Sequence, residues 1–280
     1  YLKLHAIIFV DHYARTPEST PLSTPTEITD SECNPGCHFT GDEQPNIFIP
    51  PRKEFIDIIN TTEGGSAIHI INAGCTIIES TFTNCRSPND GGGAIYIDTE
   101  VQNVNHTITI ENTYFTKCKS AYGGAVYIRS ASESSPALIR NCIFDTNEAL
   151  ARNGRNNDNL FGGSAVYLNV KEGTVFNCSF IHNIGKGGAL KVLNEFDTDY
   201  RSLLLQANSV LVSDCLFEIS YNQSSSIYYY GGKFGSDIEL RNCIFSGVLD
   251  KDAYHIDGKK TYNSPRLNVV NCKFANDIKS

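Results

Sequence analysis

The chain has 280 residues, 40% of them hydrophobic and 19% charged, a composition that excludes a disordered tail or a chain of membrane-spanning helices. No apolar run approaches the roughly 18 residues needed to cross a bilayer. A formal net charge of −8 argues against a non-specific nucleic-acid binder, which needs a basic surface.

The chain opens at Tyr1 and contains no Met, so it reads as a fragment or a processed product. Ile7-Ile8-Phe9-Val10 is either the remnant of a signal-peptide core or a buried first strand. Residues 1–46 form a leader, linker or cap; Thr16-Pro17-Glu18-Ser19-Thr20-Pro21 typifies its composition. Cys33 and Cys37 are close enough for a local bridge around Asn34-Pro35-Gly36. The sequence has no CxxC pair and its His are scattered, so no metal site or other cofactor is expected. Sequons at Asn60, Asn105, Asn177 and Asn222 suit an extracellular or cell-surface location.

Residues 47–280 read as one repeat domain. Segment 47–60, with Ile47-Phe48-Ile49 and Phe55-Ile56, supplies a first rung. From Gly64 the chain repeats itself. One half of the repeat is GGSAIHI at 64–70, GGAIYI at 92–97, GGAVYI at 123–128, GGSAVYL at 162–168 and GGALKVL at 187–193. Degenerate copies follow at Ser226-Ile227-Tyr228-Tyr229 and Ala253-Tyr254-His255-Ile256. The other half ends in Phe82, Phe115, Phe144, Phe180, Phe217, Phe245 and Phe274, spaced 33, 29, 36, 37, 28 and 29 residues apart. The variation in length falls in polar stretches at 98–106, 148–161 and 194–208, which read as loops on a fixed scaffold.

Counting back from each Phe fixes the architecture. Five positions before it stand Ile77, Ile110, Ile139, Val175, Val212, Leu240 and Val269. Two before it stand Ser80, Thr113, Cys142, Cys178, Cys215, Cys243 and Cys272. Residues two apart share a face of a strand, so a gap of three between these buried columns demands a corner. The residue three before the Phe is Asn112, Asn141, Asn177, Asp214, Asn242 and Asn271, with Glu79 the exception. Asn and Asp tolerate the left-handed conformation of a tight bend, and stacked corners predict an Asn ladder. The expected fold is an all-β, right-handed, single-stranded parallel β-helix of about seven to eight coils, roughly 34 Å long for seven rungs. Nothing after Phe274 reads as a cap, so the solenoid is expected to continue past Ser280.

Gly92-Gly93-Ala94-Ile95, with Phe144-Asp145-Thr146-Asn147 and Phe180-Ile181-His182-Asn183, resembles the GGAI and FxxN tetrapeptides of the polymorphic outer-membrane protein repeat. The resemblance covers roughly residues 60–276 and implies a pectin-lyase-like β-helix. Such repeats occur in chlamydial surface adhesins and in trichomonad surface proteins. The implied role is a non-enzymatic surface or secreted scaffold with host-cell or glycan ligands. The C-terminal membrane β-barrel of the bacterial members is absent from this sequence.

Three features bear on chemistry. The same fold hosts polysaccharide lyases and glycoside hydrolases, and Asp197 and Asp199 are the nearest approach to a carboxylate pair. No Gly-His-Gly or Arg-x-Lys accompanies them, so they read as a solvated loop. Cys85 and Cys118 each follow a repeat Phe by three residues and lie in adjacent coils, where they either bridge two rungs or remain thiols. On the Gly-Gly-Ala strand the residues between the inward aliphatics are His69, Tyr96, Tyr127, Tyr167, Lys191, Tyr228 and His255. Tyr96, Tyr127, Tyr167 and Tyr228 then form an exposed outer strip, either a ligand-binding face or a cross-strand ladder that stiffens the sheet.

Overall fold

Apolar residues two apart, separated by corners that only a left-handed residue can turn, wind this chain into a right-handed parallel β-helix. The structure is a computed structural model; it describes residues 26–27, 37–40, 46–99, 107–130, 136–150, 162–185, 187–193, 208–219, 225–230, 236–247, 254–259 and 266–275. Among them there is no helix, and each strand pairs in parallel with its equivalent in the neighbouring coil. Cys33, Asn105, Asp197, Asp199 and Asn222, and most of the three variable loops, lie outside the described residues.

Four sheets line the stack. The Gly-Gly-Ala sheet has eight strands and includes Ile95–Thr99, Val126–Ser130 and Val166–Val170. A nine-stranded sheet follows, from Thr26–Glu27 to Arg266–Val270. The Phe sheet has eight strands, from Glu54–Ile56 to Lys273–Phe274. A short fourth sheet contains Arg86–Gly91, Lys119–Tyr122, Glu148–Ala149 and Ile184–Gly185.

The Phe residues pair in register from Phe55 to Phe274. Their rings stack 4.7–5.1 Å apart, which is the rung spacing itself. Each ring fills the space its neighbours leave, so no coil buries its apolar face alone. Cys142, Cys178, Cys215 and Cys243 are buried beside this ladder, and each sulfur reaches a carbonyl of the preceding coil at 3.5–3.7 Å.

The corner lies where the sequence places it. Glu79, Asn112, Asn141, Asn177, Asp214, Asn242 and Asn271 all have φ of 47–56°. Asn141 donates its side-chain amide to the Asn112 Oδ1 at 3.1 Å, and Asn177 donates to Asn141 at 2.9 Å. Asn242 donates to Asp214 at 3.1 Å and Asn271 to Asn242 at 2.9 Å. The Asp214 carboxylate accepts but cannot donate onward, so the ladder restarts there.

A second corner was not anticipated. Asn84, Lys117, Thr146 and His182 stand two residues after their Phe with φ of 52–56°. The next residue turns back inside, giving the interior column Cys85, Cys118, Asn147 and Asn183, all buried. Asn183 donates to the Phe144 carbonyl at 2.9 Å, while its Oδ1 accepts from the Asn147 backbone at 3.0 Å. Asn147 donates to the Phe115 carbonyl at 3.1 Å and accepts from the Cys118 backbone at 3.0 Å. These contacts explain the Asn of the FxxN tetrapeptide: it closes backbone groups that a corner would leave buried and unpaired.

At the N-terminal end, Thr26–Glu27 pairs with Ile47–Phe48 and Cys37–Thr40 pairs with Ile68–Ile71. Parts of residues 11–46 therefore add strands to two sheets. At the other end Phe274 is 47% exposed, against complete burial of Phe144.

Candidate functional site on the outer face of the Gly-Gly-Ala sheet

The glycines build the turn that starts each strand. Gly92 has φ of 63°, and a Cβ there would lie 2.0 Å from the Ile95 carbonyl oxygen. A Cβ on Gly93 would lie 2.1 Å from the Gly124 carbonyl oxygen of the next coil. The first Gly supplies the left-handed turn and the second admits the neighbouring backbone. The Ala that follows is buried in all five Gly-Gly copies, and the Ala94 and Ala125 N–H groups donate to the Ala125 and Ala165 carbonyls at 2.9 Å.

From this start the aliphatics Ile95, Ile97, Val126 and Ile128 face the core. The residue between them faces the opposite side. His69, Tyr96, Tyr127 and Tyr167 pair in register, and Tyr167 continues to Lys191 and Tyr228. Ring centroids are 4.9 Å apart for His69–Tyr96, 4.7 Å for Tyr96–Tyr127 and 4.9 Å for Tyr127–Tyr167. The Lys191 Nζ lies 5.5 Å from the Tyr167 ring centre and 5.2 Å from that of Tyr228. A buried ammonium sandwiched in this way gains from both ring faces.

The expectation of an exposed strip is corrected. Tyr127, Tyr167 and Tyr228 are only 7%, 4% and 9% exposed, and Tyr96 is half-buried. The reason lies partly in Tyr122, which leaves the short fourth sheet and packs its ring edge-on to Tyr127 at 5.2 Å and tilted to Tyr167 at 5.7 Å. Tyr127, Tyr167 and Leu193 thus form a second apolar cluster, outside the β-helix core, with Tyr96 and Tyr122 at its margin. The sequence placed the column on the outer face but gave no sign of what would lie over it.

The last copy is also corrected. Ser225 pairs with Tyr254 and Tyr228 with Asp257, so Asp257 continues the column. His255 instead lies opposite Ser226 and is buried against Phe245 and Phe274, with its Nδ1 3.2 Å from the Ser226 hydroxyl.

Polar groups gather at the margin of the cluster. The Tyr122 hydroxyl donates to Asp90, and the Tyr96 hydroxyl donates to Asp98 at 3.2 Å. Arg129, in register with Asp98, closes an ion pair at 3.1 Å. Burial, then Tyr127 and the Asp98 carboxylate, push the Tyr96 phenol up, so it acts as a hydrogen-bond donor rather than an anion. Tyr96, Tyr122, Asp90 and Arg129 are half-buried, so each presents part of its surface to solvent. Residue types alone did not single out Asp90, Asp98, Tyr122 and Arg129; the register brings them together.

Among the described residues no group of three or more His, Cys, Asp or Glu is placed to hold a metal ion. No described helix is long and apolar enough to cross a membrane. The fold and this face define the class, a parallel β-helical repeat solenoid with an aromatic outer column. Comparison with family models, curated proteins and solved structures finds no match to the chain.

Proposed function

We propose that this chain is a non-enzymatic repeat scaffold of the cell surface or extracellular space, and that it binds a glycan or protein ligand through the Gly-Gly-Ala sheet. The observation that carries this reading is the margin of Tyr96, Tyr122, Asp90 and Arg129. It joins partly exposed ring surface to a carboxylate and a guanidinium on a rigid sheet. Such a combination suits ligands with both apolar and hydroxyl or charged surface. The stacked column beneath fixes these groups without side-chain ordering on binding, which lowers the entropic cost of association. The GGAI and FxxN tetrapeptides and the sequons at Asn60 and Asn177 favour the same setting.

The test is a glycan-array and cell-binding assay of the purified chain beside a reducing-end and unsaturated-product assay on acidic polysaccharides. Asp90→Asn and Arg129→Ala alter half-buried groups and should keep the fold. Each is expected to weaken binding about tenfold or more, the effect of losing about 1.4 kcal/mol. Binding unchanged in both variants would return the column to a purely structural role. Polysaccharide cleavage by the parent chain would replace the scaffold reading with an enzymatic one.

A further inference from the structure

The interior column behind the Phe ladder begins with two cysteines. Cys85 and Cys118 both follow their Phe by three residues, and the Lys119 N–H donates to the Cys85 carbonyl at 2.9 Å. Arg86 and Lys119 pair in register, so Cys85 and Cys118 are the adjacent in-register pair. Parallel neighbours stand about 4.8 Å apart at Cα, inside the range a disulfide spans. Both side chains are buried and point into the same column.

These two thiols differ from the five-cysteine column. The Cys118 sulfur lies within reach of both the Cys85 sulfur and the Phe82 carbonyl, the latter at 3.7 Å. The hydrogen bond from Cys118 holds the Cys85 thiol below its ordinary value, although burial opposes it. Cys118 is pushed up, first by burial and then by the same contact. By contrast Cys178, Cys215 and Cys243 are each raised, chiefly by the thiol of the preceding coil. Of the two, Cys85 is the easier to deprotonate, which suits it to attack and Cys118 to resolve.

The pair also lies next to a partly exposed position. The residue equivalent to Cys85 in the preceding coil is Ile58, which is only partly buried, and Ile59 beside it is 60% exposed. Cys85 lies one rung from that partly exposed position, as Cys243 lies one rung from the partly exposed Cys272, whereas Cys142, Cys178 and Cys215 lie deeper in the stack.

We propose that Cys85 and Cys118 are a reversible dithiol–disulfide pair linking two adjacent rungs, with Cys85 as the attacking sulfur and a low-molecular-weight disulfide as oxidant. The Cys85 thiolate attacks one sulfur of the oxidant, forming a mixed disulfide and expelling one thiolate. Cys118 then gives up its proton and its sulfur attacks the Cys85 sulfur. The Cys85–Cys118 bond forms as the second thiolate leaves. Two protein thiols are oxidised and one disulfide is reduced to two thiols.

The purified full chain is equilibrated in glutathione buffers graded from reduced to oxidised, alkylated in denaturant and mapped without reduction. A Cys85–Cys118 crosslink is expected in more than about half the chains once glutathione is mainly disulfide, and it should be reversed by dithiothreitol. Cys142, Cys178, Cys215 and Cys243 should remain alkylatable. Cys118→Ser is expected to trap glutathione on Cys85, and Cys85→Ser to leave Cys118 unmodified. Free thiols at both sites across the whole series would overturn the proposal, as would preferential oxidation of the Cys142–Cys243 column. The crosslink map of the parent chain stands even where a variant fails to fold.

Discussion

The Phe ladder and the Tyr column are both stacks of rings one rung apart, on opposite faces of the same winding. The Phe ladder repeats one residue without exception from Phe55 to Phe274. The outer column passes through His69, three tyrosines, Lys191, Tyr228 and Asp257. Inside, the four sheets enclose a fixed volume, and only one ring size fills it without a void or a clash. Outside, a side chain need only lie flat on its neighbours, and a lysine between two rings serves almost as well as a third ring. Identity is dictated by enclosure, and mere stacking tolerates exchange.

The largest expected effect breaks the ladder in its middle. Phe144→Ala should destabilise the chain by about 3–5 kcal/mol, since a buried ring leaves a cavity between two stacked neighbours. Phe274→Ala, at a half-exposed end position, should cost only about 1–2 kcal/mol. Denaturant melts of the two variants check this, and equal losses would mean that enclosure does not set the energetics.

A smaller effect tests the outer column. Tyr127→Ala should cost about 2–3 kcal/mol, because the ring is covered by Tyr122 and stacked between Tyr96 and Tyr167. Tyr127→Phe should change stability by less than about 1 kcal/mol. A neutral Tyr127→Ala would restore the picture of a freely exposed strip.

The fold was legible because its constraints recur. Seven copies of the Ile, Asn, Cys and Phe positions reveal the phase break that makes a corner, and the ladder Asn141–Asn112 follows from it. The second corner was hidden. Asn84, Lys117, Thr146 and His182 share a left-handed conformation and no residue type, so no column marks them. The placement of His255 failed for a related reason. Its copy lacks the Gly-Gly pair, and without that anchor the register is open to a shift of two residues that keeps the apolar alternation. The margin of the candidate face was illegible because Asp90, Asp98, Tyr122 and Arg129 come from different coils and two sheets. Only the pairing of Asp98 with Arg129 brings opposite charges together.

A further effect, which grows with pH, concerns protons in the interior. The Cys75 thiol is fully enclosed, and burial pushes it up to about 12, with a hydrogen bond from the Thr109 backbone opposing the shift. An unfolded cysteine titrates near 8.5. Between those values the unfolded chain has released the proton and the folded chain still holds it. The unfolded state therefore binds fewer protons, and stability falls as pH rises. The contribution is complete below about pH 8.5 and is lost progressively up to about pH 12, at about 1.4 kcal/mol per pH unit for one group. Cys75→Ala removes that group, with a small constant loss from the missing sulfur. Urea melts of the parent and of Cys75→Ala between pH 8 and 10.5 should therefore converge and then cross as pH rises, the variant losing stability more slowly. Parallel pH profiles would mean that water reaches the Cys75 sulfur, and the enclosure that separates the inner columns from the outer one would not extend to that corner of the core.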